Sequence, residues 1–339
     1  MTRAKLNMLP EYVSGFNFIE SCITSVTKFW LATHAKYMNF AIADIIISPW
    51  IPLVWGVLVG FVFSTVGAAG GILASVGLIS VLSVQNPNLV KPMAQMLTLV
   101  TPIIAVPLYY KQCRLVLSLA VILAVGGIIG AIIGSTLSLN YLADMTTFKP
   151  IFAILVLLIA TQIAWQLFPR KQKSTAQSER AAHNFEHLIE HNGDPCTIGV
   201  SHKRISIKKI HFTFGDEDFV FSPWLPFFAG MGIAVFSSAF GVGGGFLLVP
   251  FMSIIMRLPM FIIAATSALA IAIHSITSIS NYIRLGVELD FPLLGLLIAG
   301  TVVGSFFGPY LSKFLPESWL RGSLCLILIV IGLRYLGIL

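Results

Sequence analysis

Two glycine clusters are the features of this sequence best suited to bind a ligand. STVGAAGG occupies residues 64–71 and SAFGVGGG occupies residues 238–245, each between two apolar segments. Glycine in a helix interior costs about 1 kcal/mol relative to alanine. A helix that begins at such a break offers N–H groups and a positive dipole end to an anion. Close helix packing by small residues is the alternative. The predicted anion-binding residues here are Ser64, Gly67, Gly70, Gly71, Ser238, Gly241, Gly243, Gly244 and Gly245.

Polar residues within two otherwise apolar segments are the second set of candidates. Ser267, His274 and Asn281 recur at helical spacing, so they share one face of a helix. A polar stripe at membrane depth usually faces the bundle interior or a water-filled cavity. The residues predicted to complete the anion site are Gln95, Thr98, Thr266, Ser267 and Asn281.

Titratable residues near these segments suggest how an anion could be accompanied by a proton. His274 is the only histidine in a predicted span, and an imidazole titrates in the range useful for proton coupling. A neutral imidazole hydrogen-bonded to a carbonyl is the alternative. The cations near span ends either extend to lipid headgroups or recruit an anion; they are Lys91, Lys111, Arg257 and Arg284.

The composition requires a membrane to surround these candidates. Of the 339 residues, 57% are hydrophobic and only 10% are charged, and the mean hydropathy is +0.90. Since soluble domains are about a quarter charged, the lipid bilayer is the expected partner. The net charge is +7, and Lys and Arg lie mainly in the N-terminal arm and the central polar stretch. This distribution predicts contact with cytoplasm and lipid headgroups rather than nucleic acid.

An internal repeat with an offset of 174 residues organises the chain. Ser48–Pro52 (SPWIP) recurs as Ser222–Pro226 (SPWLP), and the two glycine clusters match each other. Further on, GxxxG patterns also match, and these predict close helix packing. The predicted regions are an amphipathic interfacial arm (1–37), a first membrane repeat (38–168), a cytoplasmic polar linker (169–221) and a second membrane repeat (222–339).

The repeat predicts an all-α integral membrane protein whose two halves have inverted topology. Each half contains about four to five hydrophobic segments, namely a short pair broken by glycine, which tilts or re-enters, followed by three longer spans. Either arrangement of the pair gives an odd number of crossings. Basic residues before and within the linker place that side in the cytoplasm. Such repeats are common in secondary transporters, which bind substrate where the halves meet.

The linker and the cysteines give weaker signals. His183, His187 and His191 are spaced four residues apart, which suits metal chelation on a helix. A solvated amphipathic helix is the alternative, and no metal or cofactor is predicted. The isolated cysteines suggest neither a disulfide framework nor a zinc site; they are Cys22, Cys113, Cys196 and Cys325.

The segment FGVGGGFLLVPFMSIIMRLPMFIIAATSALAIAIHSITS, which starts at Phe240, resembles the TauE/SafE family of sulfite and organosulfur-anion exporters. The resemblance covers about 50–168 and 222–339. Its motif residues are Gly241–Gly245, Pro250 and Ala265-Thr266-Ser267. The first half departs from the motif, with GAAGG at 67–71 and Lys91-Pro92-Met93 where the family has Ala-Thr-Ser.

The resemblance implies a transporter of a small anion such as sulfite, sulfoacetate or another organosulfonate. It further implies proton-linked export across the cell inner membrane. We expect alternating access, no enzymatic activity and no cofactor, and a homodimer remains open. The alternative is a non-transporting membrane subunit for binding or assembly, or a metal sensor that uses the linker histidines. A membrane enzyme lacks support, because no nucleophile–base pair or carboxylate pair lies within a span.

Overall fold

The computed structural model describes residues 37–66, 70–167, 176–190, 196–205, 209–311 and 317–338. Gly67, His191 and residues 1–36 of the predicted arm lie outside this part of the chain. The first half begins with an antiparallel hairpin of strands β1 and β2. Its elements are β1 (Met38–Phe40), β2 (Ile45–Ile47), α1 (Trp50–Val66), α2 (Gly70–Ser80), α3 (Pro87–Lys111), α4 (Leu117–Tyr141) and α5 (Met145–Leu167).

The linker and the second half follow in the same order. A helix and a three-stranded antiparallel sheet form the linker: α6 (Ala176–Glu190), β3 (Ser201–Ile205), β4 (Ile210–Phe214) and β5 (Glu217–Phe221). The second half contains α7 (Trp224–Phe240), α8 (Gly245–Pro250) continued by a π-helical turn (Phe251–Ile255), α9 (Met260–Arg284), α10 (Phe291–Leu311) and α11 (Glu317–Tyr335).

Local sequence explains where the key helices begin and end. The side chain of Asn86 accepts the N–H of Asn88 at 3.0 Å, and Pro87 occupies the first turn of α3. Pro259, in extended conformation, precedes α9. Gly241 ends α7 in the left-handed conformation, with a φ of 71°. The second glycine cluster therefore interrupts the helix, as predicted.

Each short pair is a re-entrant hairpin. A Cβ atom at Gly77 would lie 1.7 Å from Nε1 of Trp55, and one at Gly70 would lie 2.5 Å from Cβ of Phe63. Late residues of α2 thus contact early residues of α1, so α2 runs back along α1. In the second half, a Cβ at Gly244 would lie 3.8 Å from Cβ of Ser237, which places the start of α8 beside the last turn of α7.

Contacts at the helix ends show that the two halves are inverted. On one side, Asp290 accepts the N–H of Ala43 at 3.1 Å, and Lys91 donates to the carbonyl of Leu142 at 2.7 Å. This β-hairpin side therefore contains 38–47, 81–86, 142–144 and 285–290. The opposite, linker side contains 112–116, the linker and 256–259. The first half runs from the β-hairpin side to the linker side and the second half runs back, which confirms the predicted architecture.

Length and composition allow four described helices to cross a membrane. These are Pro87–Lys111, Leu117–Tyr141, Met145–Trp165 and Met260–Arg284. The chain is an all-α integral membrane protein in its two repeats, and the strands lie outside the spans.

The GxxxG patterns bring helices close together, as predicted, and the paired helices belong to opposite halves. A Cβ at Gly304 of α10 would lie 2.0 Å from the carbonyl oxygen of Val57 in α1. A Cβ at Gly130 of α4 would lie 2.1 Å from the carbonyl oxygen of Met231 in α7. The two re-entrant hairpins are thus each held by a helix of the other half. Helices α3 and α9 pack against each other.

The prediction that the cysteines are isolated is wrong, because Cys113 and Cys196 form a disulfide. The linker folds back onto the loop between α3 and α4, and this brings together residues 83 apart in sequence. Val200 donates its N–H to the carbonyl of Cys113 at 2.7 Å, and the Arg114 guanidinium lies 4.5 Å from the ring centroid of Phe261.

Candidate functional site

The broken end of α7 is capped by side chains from four other helices. The last carbonyls of a helix have no partner within it, and here the surroundings are buried. Each side chain donates to a backbone carbonyl. The pairs are Gln95 to Ser237 at 3.0 Å, Tyr282 to Ser238 at 2.8 Å, Ser138 to Ala239 at 2.8 Å and Ser75 to Gly241 at 3.2 Å. These side chains come from α3, α9, α4 and α2, so the break is the point where both halves converge.

The tips of the two hairpins touch at glycine residues. A Cβ at Gly71 would lie 1.9 Å from the carbonyl oxygen of Val242, and one at Gly241 would lie 2.5 Å from Cα of Lys91. Gly243 also has a positive φ of 73°, and its Cβ would lie 3.1 Å from Cγ2 of Thr98. Glycine is therefore required here by close approach and by backbone conformation.

The start of α2 adds backbone donors to this meeting point. The first N–H groups of a helix have no acceptor within it, and Gly70 and Gly71 begin this 11-residue helix. Both glycines are buried, and Thr98 lies beside Gly71. The Thr98 hydroxyl donates to the carbonyl of Gln95 at 2.8 Å. The positive end of α2 thus faces the methyl group of Thr98, whose hydroxyl is bonded to its own helix α3.

Four buried polar atoms surround the last turn of α7 without a hydrogen-bond partner among the described residues. They are Oε1 of Gln95, Oγ of Ser238, Nδ1 of His274 and Oγ of Ser278. His274, Ser278 and Tyr282 are spaced four residues apart, so α9 presents them on one face. An unsatisfied buried polar atom costs about 1–3 kcal/mol. Water or a polar ligand at the hairpin tips would remove this cost.

His274 is positioned by one nitrogen and exposes the other to the break. Nε2 lies 3.1 Å from the carbonyl oxygen of Leu123, so a neutral imidazole donates its Nε2–H there. Nδ1 then lacks a proton and lies 3.8 Å from the position of a Cβ on Gly244. A Cβ at Gly127 would lie 1.8 Å from Nε2, so Gly127 makes room for the ring.

A comparison with protein families gives this arrangement its context. The model of the sulfite exporter TauE/SafE family matches residues 51–335, nearly the whole described chain. The chain belongs to the TauE/SafE family. It is therefore a multi-pass membrane protein of a transporter family. No curated protein and no solved structure gives a significant match.

The TauE/SafE chain brings together ten of the fourteen predicted site residues that the structure describes and leaves the other four apart. Together at the hairpin tips are Gly70, Gly71, Gln95, Thr98, Ser238, Gly241, Gly243, Gly244, Gly245 and His274. Thr266 instead accepts the N–H of Val116 at 3.3 Å, towards the linker side. Asn281 donates to Ser135 at 2.7 Å. Ser64 and Ser267 donate to carbonyls of their own helices.

Sequence reasoning missed the residues that cap α7. The acceptors of Ser75, Ser138 and Tyr282 are 44 to 166 positions away in sequence, and no pattern within their own helices distinguishes these residues from other polar ones. The interpretation of Lys91 as a cation that extends to headgroups is wrong, because its side chain is fully buried. By contrast, Lys111, Arg257 and Arg284 are exposed at helix ends, as expected for such cations.

Among the described residues, the buried carboxylate of Asp290 and the linker histidines lie away from the hairpin tips. Asp290 is buried, but its carboxylate accepts the N–H groups of Ile42, Ala43 and Leu293 at the β-hairpin side. The rings of His183 and His187 stack with centroids 6.3 Å apart. Within the described ranges no three His, Cys, Asp or Glu residues form a metal-binding group. At the linker side, burial lowers the pKa of the Arg114 guanidinium. The charge interaction with Tyr109 raises that pKa and partly offsets the lowering.

Proposed function

We propose that this TauE/SafE-family protein is a secondary transporter that exports a small anion across the cell inner membrane. The substrate class is sulfite, sulfoacetate or another organosulfonate. The observation that supports this proposal is the meeting of two re-entrant hairpins, which enter from opposite sides and surround their tips with unpartnered polar atoms. Transport requires no chemical step on the substrate, so we propose no enzymatic activity.

The electrostatics of the hairpin tips favour an anion. The C-terminal end of a helix carries about half a negative charge and would repel one. Here four side-chain donors neutralise the carbonyls that end α7. The start of α2 contributes the opposite, positive end, with Thr98 beside it. An oxyanion at this point would meet the first N–H groups of α2 and the unpartnered hydroxyl of Ser238.

Alternating access follows from the inverted repeat in this proposal. Each hairpin packs on a glycine-lined helix of the other half, α1 on α10 and α7 on α4. Close-packed interfaces have discrete arrangements rather than continuous ones. Rocking one hairpin–helix unit against the other would open the tips to one side and then to the other.

His274 is the residue that we propose couples transport to protons. Its Nδ1 faces the glycine break with no partner among the described residues, while Nε2 is held by Leu123. A proton on Nδ1 would make the ring cationic beside the tips and would stabilise a bound anion. Release of the anion would then favour release of the proton, which links the two fluxes.

Flux measurements in proteoliposomes test the proposal. Purified protein is reconstituted, and uptake of radioactive sulfite, sulfoacetate and taurine-like sulfonates is followed with and without a pH gradient. We expect saturable uptake of at least one anion, absent from protein-free liposomes and faster with the gradient. Absence of flux for every small anion, with a correctly folded protein, would contradict the proposal.

A further inference from the structure

Lys91 is a buried cation without a carboxylate partner in the described part of the chain. Its side chain has 0% exposure, and it lies one turn inside the start of α3. Nζ donates to the carbonyl of Leu142 at 2.7 Å and to Oδ1 of Asn88 at 3.1 Å. Its third acceptor, the carbonyl of Ser138, is 3.5 Å away, which is a weak hydrogen bond.

Part of this charge has a structural role. The carbonyls of Ser138 and Leu142 end helix α4, and a cation at a helix C-terminus is favourable. The ring of Phe148, whose centroid is 5.0 Å from Nζ, adds a cation–π contact. Neutral oxygens and one ring nevertheless compensate a buried ammonium less completely than a carboxylate would. The ammonium therefore keeps both a weakly used donor and an unbalanced charge, and an oxyanion would use both.

The repeat indicates that the fold itself does not require this charge. The position 174 residues after Lys91 is Ala265, near the start of α9. Because the halves are inverted, the start of α9 lies on the linker side. The backbone of Lys91 packs against the hairpin tip, because a Cβ on Gly241 would lie 2.5 Å from its Cα. Ser138 connects both, since its hydroxyl caps Ala239 while its carbonyl faces Nζ. The ammonium is thus separated from the hairpin tip by Ser138 and lies on the β-hairpin side.

We infer that Lys91 is the specificity-determining residue that binds the anion on the β-hairpin side of the site. It makes anion affinity higher from that side than from the linker side, where Ala265 occupies the equivalent place. This inference rests on the proposed transport function. The ammonium donates one hydrogen bond to a substrate oxygen and retains its bond to Leu142.

The test compares the Michaelis constant for sulfite from each side, in vesicles of known and opposite orientation. Lys91→Met removes the charge and keeps the length, Lys91→Arg keeps the charge, and Lys149→Met is the matched control at the same side of the bundle. We expect Lys91→Met to raise the constant about tenfold from the β-hairpin side and much less from the linker side. Lys91→Arg and Lys149→Met should stay within about threefold of wild type.

A charge swap keeps the test decisive if Lys91→Met fails to fold. In Lys91→Ala/Ala265→Lys the cation moves to the equivalent place on the other side, and the asymmetry between the two sides should reverse. A folded Lys91→Met or swap variant with wild-type constants from both sides would overturn the inference while leaving transport intact. If the wild type transports no small anion, both the proposed function and this inference are overturned.

Discussion

Gly71 and Val242 join the two inverted halves with no space for a side chain between them. A Cβ on Gly71 would lie 1.9 Å from the carbonyl oxygen of Val242 and 2.7 Å from Cγ2 of Thr98. One residue belongs to the hairpin that enters from the β-hairpin side and the other to the hairpin that enters from the linker side. The site therefore depends on a contact that neither half could form alone.

Gly71→Ala should separate the hairpin tips and abolish transport. The added methyl group meets backbone that cannot move without shifting the hairpin, and such overpacking costs about 1–3 kcal/mol. Gly232→Ala is the matched control, because a Cβ there has nothing within 4 Å. Sulfite flux and the midpoint of thermal unfolding are measured for both. Equal flux in the two variants would contradict the tight contact.

Tyr282→Phe should destabilise the broken end of α7. Its hydroxyl donates to the carbonyl of Ser238 at 2.8 Å in a buried environment, and losing it leaves that carbonyl without its side-chain donor. We expect a loss of about 1–3 kcal/mol in the free energy of unfolding, measured by denaturation in detergent. Tyr110→Phe, at an exposed position of α3, is the control and should be neutral. A neutral Tyr282→Phe would show that the cap contributes nothing.

His274→Gln should uncouple anion flux from the pH gradient. Glutamine can still donate a hydrogen bond towards Leu123, but it cannot bind a proton at neutral pH. We expect sulfite flux to continue while its acceleration by a pH gradient disappears. His183→Gln, in the linker, should keep the full acceleration. Gradient-driven flux in His274→Gln equal to wild type would exclude the proton-coupling role.

The disulfide between Cys113 and Cys196 predicts which side of the membrane the linker faces. Linker-side basic residues predict the cytoplasm, but the linker itself is nearly balanced in charge, and disulfides persist in oxidising compartments. We expect the bond to form and the linker to face the oxidising side. Lys91 would then lie towards the cytoplasm, where an exporter collects its substrate.

Thiol labelling of intact cells measures this orientation. In a Cys22→Ser/Cys113→Ser variant, Cys196 keeps a thiol, and Cys325 is buried. A membrane-impermeant maleimide should label this variant in intact spheroplasts and should not label it after Cys196→Ser is added. Labelling only in inverted vesicles would instead support the cytoplasmic linker predicted from charge.

The spans, the repeat and the inversion could be predicted because they depend on local patterns. Apolar runs indicate spans, and glycine clusters at one constant offset indicate two equivalent breaks. The capping of α7 could not be predicted in this way. A serine such as Ser75 or Ser138 is unremarkable in its own helix, and its acceptor belongs to the other half. The burial of Lys91 could not be predicted either, because a lysine near a span end normally reaches water.

The central claim is that an oxyanion binds where the two hairpin tips meet. Selenite has the shape and charge of sulfite, and its selenium gives an anomalous diffraction signal. Crystals grown with selenite should show one strong anomalous peak within hydrogen-bond distance of Thr98 or Ser238, beside Gly71, and the peak should be absent in Gly71→Ala. A well-ordered structure with no selenium peak at the hairpin tips, at saturating selenite, would contradict the account.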